Sequence, residues 1–503
     1  MPVNWYLVWI VGFLILLFAV SVKSAKTVKT AADYAMADFK LGFFPICGSI
    51  IATVTGSAAL IGGAGKGFEM GISYLVTASY VLFTVVGMLV LGPVIRKLRL
   101  YTVPELFARR FGKLAALIPA LIIGFLYMTP TFGMQLVGMS SILSSITDLS
   151  FLWGIVLGFT VVVAFTLIGG MPSVAWTDAI QTVVILGGVV LTLVVGVAHV
   201  GGPGVVAAAT PERLLSFGSI GFTELLNWFL IFGPFYLVWQ TTWQRITAAR
   251  STKVGISAVT IGFVISGLVG LLAIFIGIAA VQMFPAGTDP DVVYTSFITQ
   301  IFPGSIGGLL MVSLLAALLT GATSFLLSGA INISKDIYEG WINPKAGDAQ
   351  ILKISRLSVA FMAVLGLVIA LWVTDIIVIY QIALSFTASA LVAPALAAMF
   401  WERATKAGVI TSTIGALVAS LAWRLAGTPF GIHEIAPGLA VSAVLLVAVS
   451  LATRHSDDET VTAYFHAFRR GRITDSEAPD TDTAPTPSAP IDAGRTTDDA
   501  LPR

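Results

Sequence analysis

The chain has 503 residues, 57% hydrophobic and 11% charged, with a formal net charge of +2 and a mean hydropathy of +0.94. A water-soluble protein of this length needs far more charge to cover its surface. Repeated apolar runs near 20 residues also exclude the weak ten-residue alternation of a membrane barrel, so the fold class expected is an all-α polytopic membrane protein. A single cysteine, Cys47, excludes an internal disulfide. HExxH, paired CxxC, P-loop and GxSxG motifs are missing from the sequence, which argues against an intramembrane hydrolase or an ATP-driven pump. No enzymatic activity and no nucleic-acid partner are expected; the partners expected are a small-molecule substrate and the lipid bilayer, with no sign of an obligatory protein partner.

About thirteen runs have the length a bilayer demands. The first, 5–22, has no basic segment before it, whereas Lys23, Lys26 and Lys29 follow it. That pattern reads as a span with its N-terminus outside rather than a cleaved leader. The others fall near 43–65, 71–94, 114–145, 150–170, 179–201, 223–244, 255–282, 305–333, 357–375, 377–400, 409–427 and 438–454. In this layout 25 of the 28 Lys and Arg residues lie on the inner side, leaving only Lys66, Arg213 and Arg424 outside. The positive-inside rule then predicts an external N-terminus and a cytoplasmic C-terminus, in the cytoplasmic membrane. From 456 onward the composition turns to Pro, Thr and Asp and cannot bury enough apolar surface to fold, so 456–503 is expected to be a disordered cytoplasmic tail.

Two spans look interrupted. Ile51 to Gly71 carries Gly56 and five more glycines from Gly62 on, with Thr53, Thr55 and Ser57 in its first half. Each glycine inside a helix costs about 1 kcal/mol relative to alanine. A discontinuous helix has a use for them, because freed carbonyls and small side chains leave room for an ion or solute; close helix packing through small residues is the other reading. The second interruption is Gly233-Pro234 in the seventh span, where proline removes a donor and clashes with the preceding turn. Broken spans at matching positions, five spans apart and oppositely oriented, point to a transporter of inverted repeats with its site at the midplane. The divisions expected are 1–42 (first span and inner loop), 43–202 (first repeat, spans two to six), 203–401 (second repeat, spans seven to eleven) and 402–455 (peripheral spans twelve and thirteen). In the ninth span Ala317, Thr320 and Gly321 share a helical face that Ser324 continues. Hydroxyls there, opposite freed carbonyls, suit a hard cation. No titratable residue falls near the centre of any span, which fits a cation held by neutral oxygens better than a proton relay.

Four stretches then carry a resemblance: YTVPELFARRFG (101–112), TLIGGMPSVAWTDAIQ (166–181), WQTTWQRITAARS (239–251) and DIY (336–338). In this order and at these loops the chain resembles the sodium:solute symporter family over roughly 5–455. The resemblance implies the leucine-transporter-like 5+5 inverted-repeat fold and sodium as coupling ion. It places sodium's backbone ligands at Ala52 and Thr55 and the ninth-span ligands at Ala317, Thr320 and Gly321. At Gly321 the family's second hydroxyl is absent, which puts that ligand in doubt. Asp178 matches an aspartate near the cytoplasmic ion exit.

For the substrate the resemblance implies less. Sugar carriers have Gln, Glu and Asn where this chain has Ala59, Ala58 and Phe232, and proline carriers have an acidic residue where it has Val54. Thr53, Gly56, Ser57, Thr131, Gln135, Phe235, Tyr236 and Gln240 are the residues expected to line the cavity. The function expected is sodium-coupled uptake of a small organic solute, a monocarboxylate, amino acid or amide rather than a sugar. The alternatives are a sodium-independent facilitator, a proton-coupled carrier and a solute sensor on the same fold.

Overall fold

The computed structural model describes residues 4–372 and 375–454, so the expected tail at 456–503 lies outside the described residues. Helices dominate and no sheet forms among the described residues. The first helix, α1 (Trp5–Ala25), starts where the Asn4 side chain accepts from the amides of Tyr6 and Leu7, satisfying donors that the first turn leaves free. The second span is two helices, α2 (Phe43–Val54) and α3 (Ser57–Met70). Next come α4 (Ser79–Val90), the amphipathic helix α5 (Val103–Phe111), α6 (Thr129–Ile146) and α7 (Phe151–His199).

The second half runs α8 (Phe222–Phe232), α9 (Gln240–Ala248), α10 (Thr252–Ala280), the short α11 (Pro290–Ile301) and α12 (Gly304–Ile331). It continues with α13 (Asp348–Trp372), α14 (Ile376–Phe400), α15 (Lys406–Leu425) and α16 (Ile435–Ala452).

Eleven segments of the described residues are long and apolar enough to cross a membrane. The expected thirteen become eleven because Phe151–His199 holds two expected spans and Ser57–Val90 joins the second half of the expected second span to the third. The 49-residue α7 is far too long for one crossing, since at 1.5 Å per residue it exceeds twice the hydrocarbon thickness. It changes direction at Gly170 (φ 54°, ψ −155°), where a Cβ would lie 2.6 Å from the Tyr34 carbonyl oxygen. Ser57–Val90 likewise divides at Gly71 (φ 61°).

Both expected interruptions are present, but the first is narrower than the glycine run implied. Helix geometry is lost only at Thr55 and Gly56; α3 then continues unbroken to Met70. The later glycines serve packing instead. A Cβ at Gly67 would lie 2.3 Å from the Ile274 carbonyl, and one at Gly277 would lie 1.9 Å from that of Ala64. The backbones of α3 and α10 therefore touch, the contact that small residues allow between membrane helices. In the seventh span α8 stops at Phe232, a 3₁₀ turn occupies Pro234–Leu237, and α9 restarts at Gln240. Helix α12 runs through the middle of the bundle with nearly all of its residues buried.

Candidate functional site

Between the two breaks lies a cavity of about 60 Å³. Thr53, Val54, Gly56, Ala58 and Ala59 line it from the second span, Met134 and Gln135 from α6, and Phe232 and Tyr236 from the seventh span. Tyr74, Thr77, Tyr80, Ile274, Phe325 and Tyr380 complete most of the wall, and no lining residue is charged. The aromatic side is tied together: the Tyr236 and Tyr380 hydroxyls are 2.9 Å apart, and the Tyr80 ring lies 5.2 Å from that of Tyr236.

Of the residues expected to line the cavity, Thr53, Gly56, Gln135 and Tyr236 do so, and four do not. Ser57 turns away toward α6; its Cβ would sit 3.0 Å from a Cβ at Gly138. The Thr131 hydroxyl donates to the Tyr127 carbonyl at 2.8 Å, the self-satisfaction usual for hydroxyls in membrane helices. Phe235 packs on Tyr127, with centroids 4.6 Å apart. Gln240 belongs to the end of the bundle against which α5 packs. Its Oε1 accepts from the Val103 amide at 3.2 Å, and its amide nitrogen donates to the Ser328 carbonyl and to Asn332 Oδ1.

That cluster continues through Asn332 to Asp336, whose other oxygen accepts from the Thr102 hydroxyl at 2.7 Å. Three of the four sequence stretches singled out above thus meet at one point, α5 being held against the seventh and ninth spans.

The oxygens proposed for a cation also come together. The Thr320 hydroxyl lies 2.8 Å from the carbonyl oxygens of both Ala52 and Ala317. Thr55 Oγ1 is 3.4 Å from the same Ala52 oxygen. Ala52 is available because the break removes helix beyond Thr55 from its ladder. Neutral oxygens from two helices are the donor set a hard cation takes. Gly321 brings no oxygen of its own; the space of its missing side chain holds the Gln135 carboxamide, 2.9 Å from an ideal Cβ.

Below Thr53 lies a charged group that the sequence layout misplaced. Arg245 was assigned to the inner loop, yet it is 1% exposed and Asp178 is 0% exposed. The two are 3.9 Å apart and are bridged by Ser49, which donates to Asp178 at 2.6 Å and accepts from Arg245 at 3.1 Å. Arg245 also donates to Ser324 at 2.6 Å, and Ser324 lies 3.0 Å from the Thr53 hydroxyl. A charge pair therefore sits two hydrogen bonds from the cavity wall. The sequence signal was the absence of a gap: Arg245 follows α9's Trp243 and Gln244 directly, and both are fully buried.

Comparison with known proteins places this arrangement. The model of the sodium:solute symporter family matches residues 34–416. The chain belongs to the sodium:solute symporter family. It is 27% identical to the osmoregulated proline transporter of Bacillus subtilis, over 84% of this chain and 89% of that one. It is 24% identical to the sodium/glucose cotransporter of Vibrio parahaemolyticus, over 86% and 87%. Among solved structures it is similar to a sodium-coupled sialic acid symporter in its outward-open state, with a TM-score of 0.78 and 19% identity over 90% of this chain and 99% of that one. The nucleobase-cation symporter Mhp1 superposes with a TM-score of 0.59 at 15% identity, over 86% and 97%. The family member is a multi-pass membrane protein of the leucine-transporter-like fold with sodium as its coupling ion.

Proposed function

We propose that this chain takes up a small organic solute together with sodium, by alternating access around the cavity between the two helix breaks. The observation that carries this reading is that cavity. It is small, uncharged and bordered by the broken second span and the aromatic turn of the seventh. Its volume admits roughly four to six water-sized groups, so a monocarboxylate, amino acid or amide fits better than a sugar. Sodium is read as held by Ala52, Thr55, Ala317 and Thr320; the Ala52 and Ala317 carbonyls and the Thr320 hydroxyl lie together. Binding there would join the broken second span to α12, so the ion favours one arrangement of the bundle over the other. Asp178 is read as marking the cytoplasmic exit, with Arg245 closing that route through its bond to Ser324.

The N-terminus is taken as external and the C-terminus as cytoplasmic, with repeats at 43–202 and 203–401. Relatives named for proline keep that solute in the comparison, although Val54 offers no charge to an amine. The test is uptake into proteoliposomes of labelled propionate, propionamide, alanine, proline and glucose, with and without an inward sodium gradient. Sodium-dependent accumulation of one of the first three, with glucose inert, is the expected result. Accumulation of glucose, or of any of them without sodium dependence, would sink the reading.

A further inference from the structure

Gln135 is 1% exposed, and its carboxamide lies in a slot between two residues without side chains. Ideal Cβ atoms at Gly56 and Gly321 would each approach its Nε2 to 2.9 Å. One wall of the slot is thus the break in the second span and the other is α12. Within it the amide has one orientation. Its Oε1 accepts from the Ser57 N–H at 3.0 Å, capping the first turn of α3. The reversed amide would set its NH₂ against that N–H, donor against donor. The nitrogen end donates to no protein group among the described residues, and Gln135 lines the cavity. That nitrogen opens onto the cavity rather than being sealed in protein, so its donors are free for an acceptor on whatever occupies the cavity.

We propose that the Gly56–Gly321 slot aims the Gln135 amide at the carboxylate of a short apolar monocarboxylate, making Gln135 and Gly321 a specificity pair of this chain. Three further observations favour an acid over the other solutes. The N-terminus of the 14-residue α3 is at the same place, and its partial positive charge favours an anion. No carboxylate lines the cavity to receive an ammonium group, which disfavours a zwitterion. Val54, Ala58, Ile274 and Phe325 leave an apolar surface for the remainder of the solute. Gly321 then has a positive reason. A hydroxymethyl group there would occupy the volume of the Gln135 amide.

The proposal rests on the sodium-coupled reading, and its test separates the two. Purified protein is assayed by thermal shift with sodium chloride against choline chloride, and then by propionate titration in sodium. The parent is expected to gain stability from sodium alone and to bind propionate at least tenfold more tightly than alanine or proline. Gln135→Glu, which replaces the donor by a like charge, should lose propionate binding by at least tenfold while keeping the sodium shift. Gly321→Ser should do the same by displacing the amide. Gln135→Ala combined with Gly321→Ser relieves the crowding; it should keep the sodium shift and still fail to bind propionate. The sodium shift reports folding in every variant. A parent without a sodium shift overturns the coupled reading and this proposal with it. A parent with the shift whose propionate binding survives Gln135→Glu or Gly321→Ser overturns the specificity pair alone. Preference for proline or alanine over propionate overturns the choice of an acid.

Discussion

At the scale of single residues, hydroxyls and charges sit where their loss can be read separately. Thr320 spans the gap between the Ala52 and Ala317 carbonyls, so Thr320→Ala removes one oxygen from the proposed sodium shell. Its structural cost is one neutral hydrogen bond, about 1 kcal/mol. Apparent sodium affinity in uptake assays should fall at least tenfold with membrane levels unchanged; an unaltered sodium dependence would remove Thr320 from the site. Asp178→Asn leaves the Arg245 guanidinium buried without its counter-charge. Breaking a buried pair on one side costs about 3–5 kcal/mol, so the variant should melt well below the parent. Replacing both residues together, as Asp178→Asn with Arg245→Gln, should recover part of that loss, because the desolvated charge goes too. No recovery in the double variant would argue that the pair is not the coupled unit described.

Asp291 is a third case, in the segment between spans. Burial raises its carboxyl to about 6, with Asp375 and Asp289 adding to the rise while the Ile376 amide and Lys66 oppose it. A carboxyl whose pKa is raised by folding stabilises the native state below its unfolded value and loses that contribution as pH rises through the folded one. The loss above pH 7 amounts to about 3 kcal/mol as an upper figure. Melting temperature in detergent should therefore decline between about pH 4 and 7, and Asp291→Asn should flatten that decline. A parallel slope in parent and variant would show that another group titrates.

At the scale of elements, the seventh-span break has two causes that substitution can separate. Gly233 is enclosed: a Cβ would lie 2.5 Å from the Phe83 ring and 2.7 Å from the Phe229 carbonyl. Gly233→Ala should thus lower expression and melting temperature through a clash, whatever the break does. Pro234 is the cleaner probe, since alanine restores a backbone donor and relieves about 3 kcal/mol of disfavour toward a continuous helix. Pro234→Ala should reach the membrane at normal levels and transport at least tenfold more slowly. Uptake at the parent rate would mean the turn at Pro234–Leu237 survives without proline, or that its irregular backbone is dispensable. The same distinction explains the second span, where one glycine at a break and several at a helix contact look alike in sequence.

At the scale of the whole molecule, the distribution of basic residues makes a topological prediction. A reporter fused at Met1 should read external and one fused after Arg454 cytoplasmic, because 25 of the 28 Lys and Arg residues fall to one side. Both ends on one face would overturn the thirteen-span layout. The burial of Arg245 does not weaken this prediction, since its position at the inner end of α9 still marks the same side of the membrane.

Much of this protein could be read from its sequence because the bilayer acts as a uniform solvent. Length and apolarity alone specify each span, a Gly-Pro pair in mid-span disrupts its own helix, and loop charge sets orientation. The family resemblance pointed to Ala52, Ala317 and Thr320, while those local rules covered the spans and the interruption at Gly233-Pro234. They could not say which polar side chain faces the cavity and which is spent on a neighbour. Thr131, Phe235 and Gln240 are suitable residues on suitable spans, yet each is committed to another partner. Nor could they show that Gln135 fills the space Gly321 leaves, since the two meet only across the packed bundle. Arg245 and Asp178 are 67 positions apart along the chain and are joined through Ser49 of a further helix. Such pairings depend on how helices rotate and approach one another, which is decided by side-chain packing summed over the entire bundle rather than by any one stretch of chain.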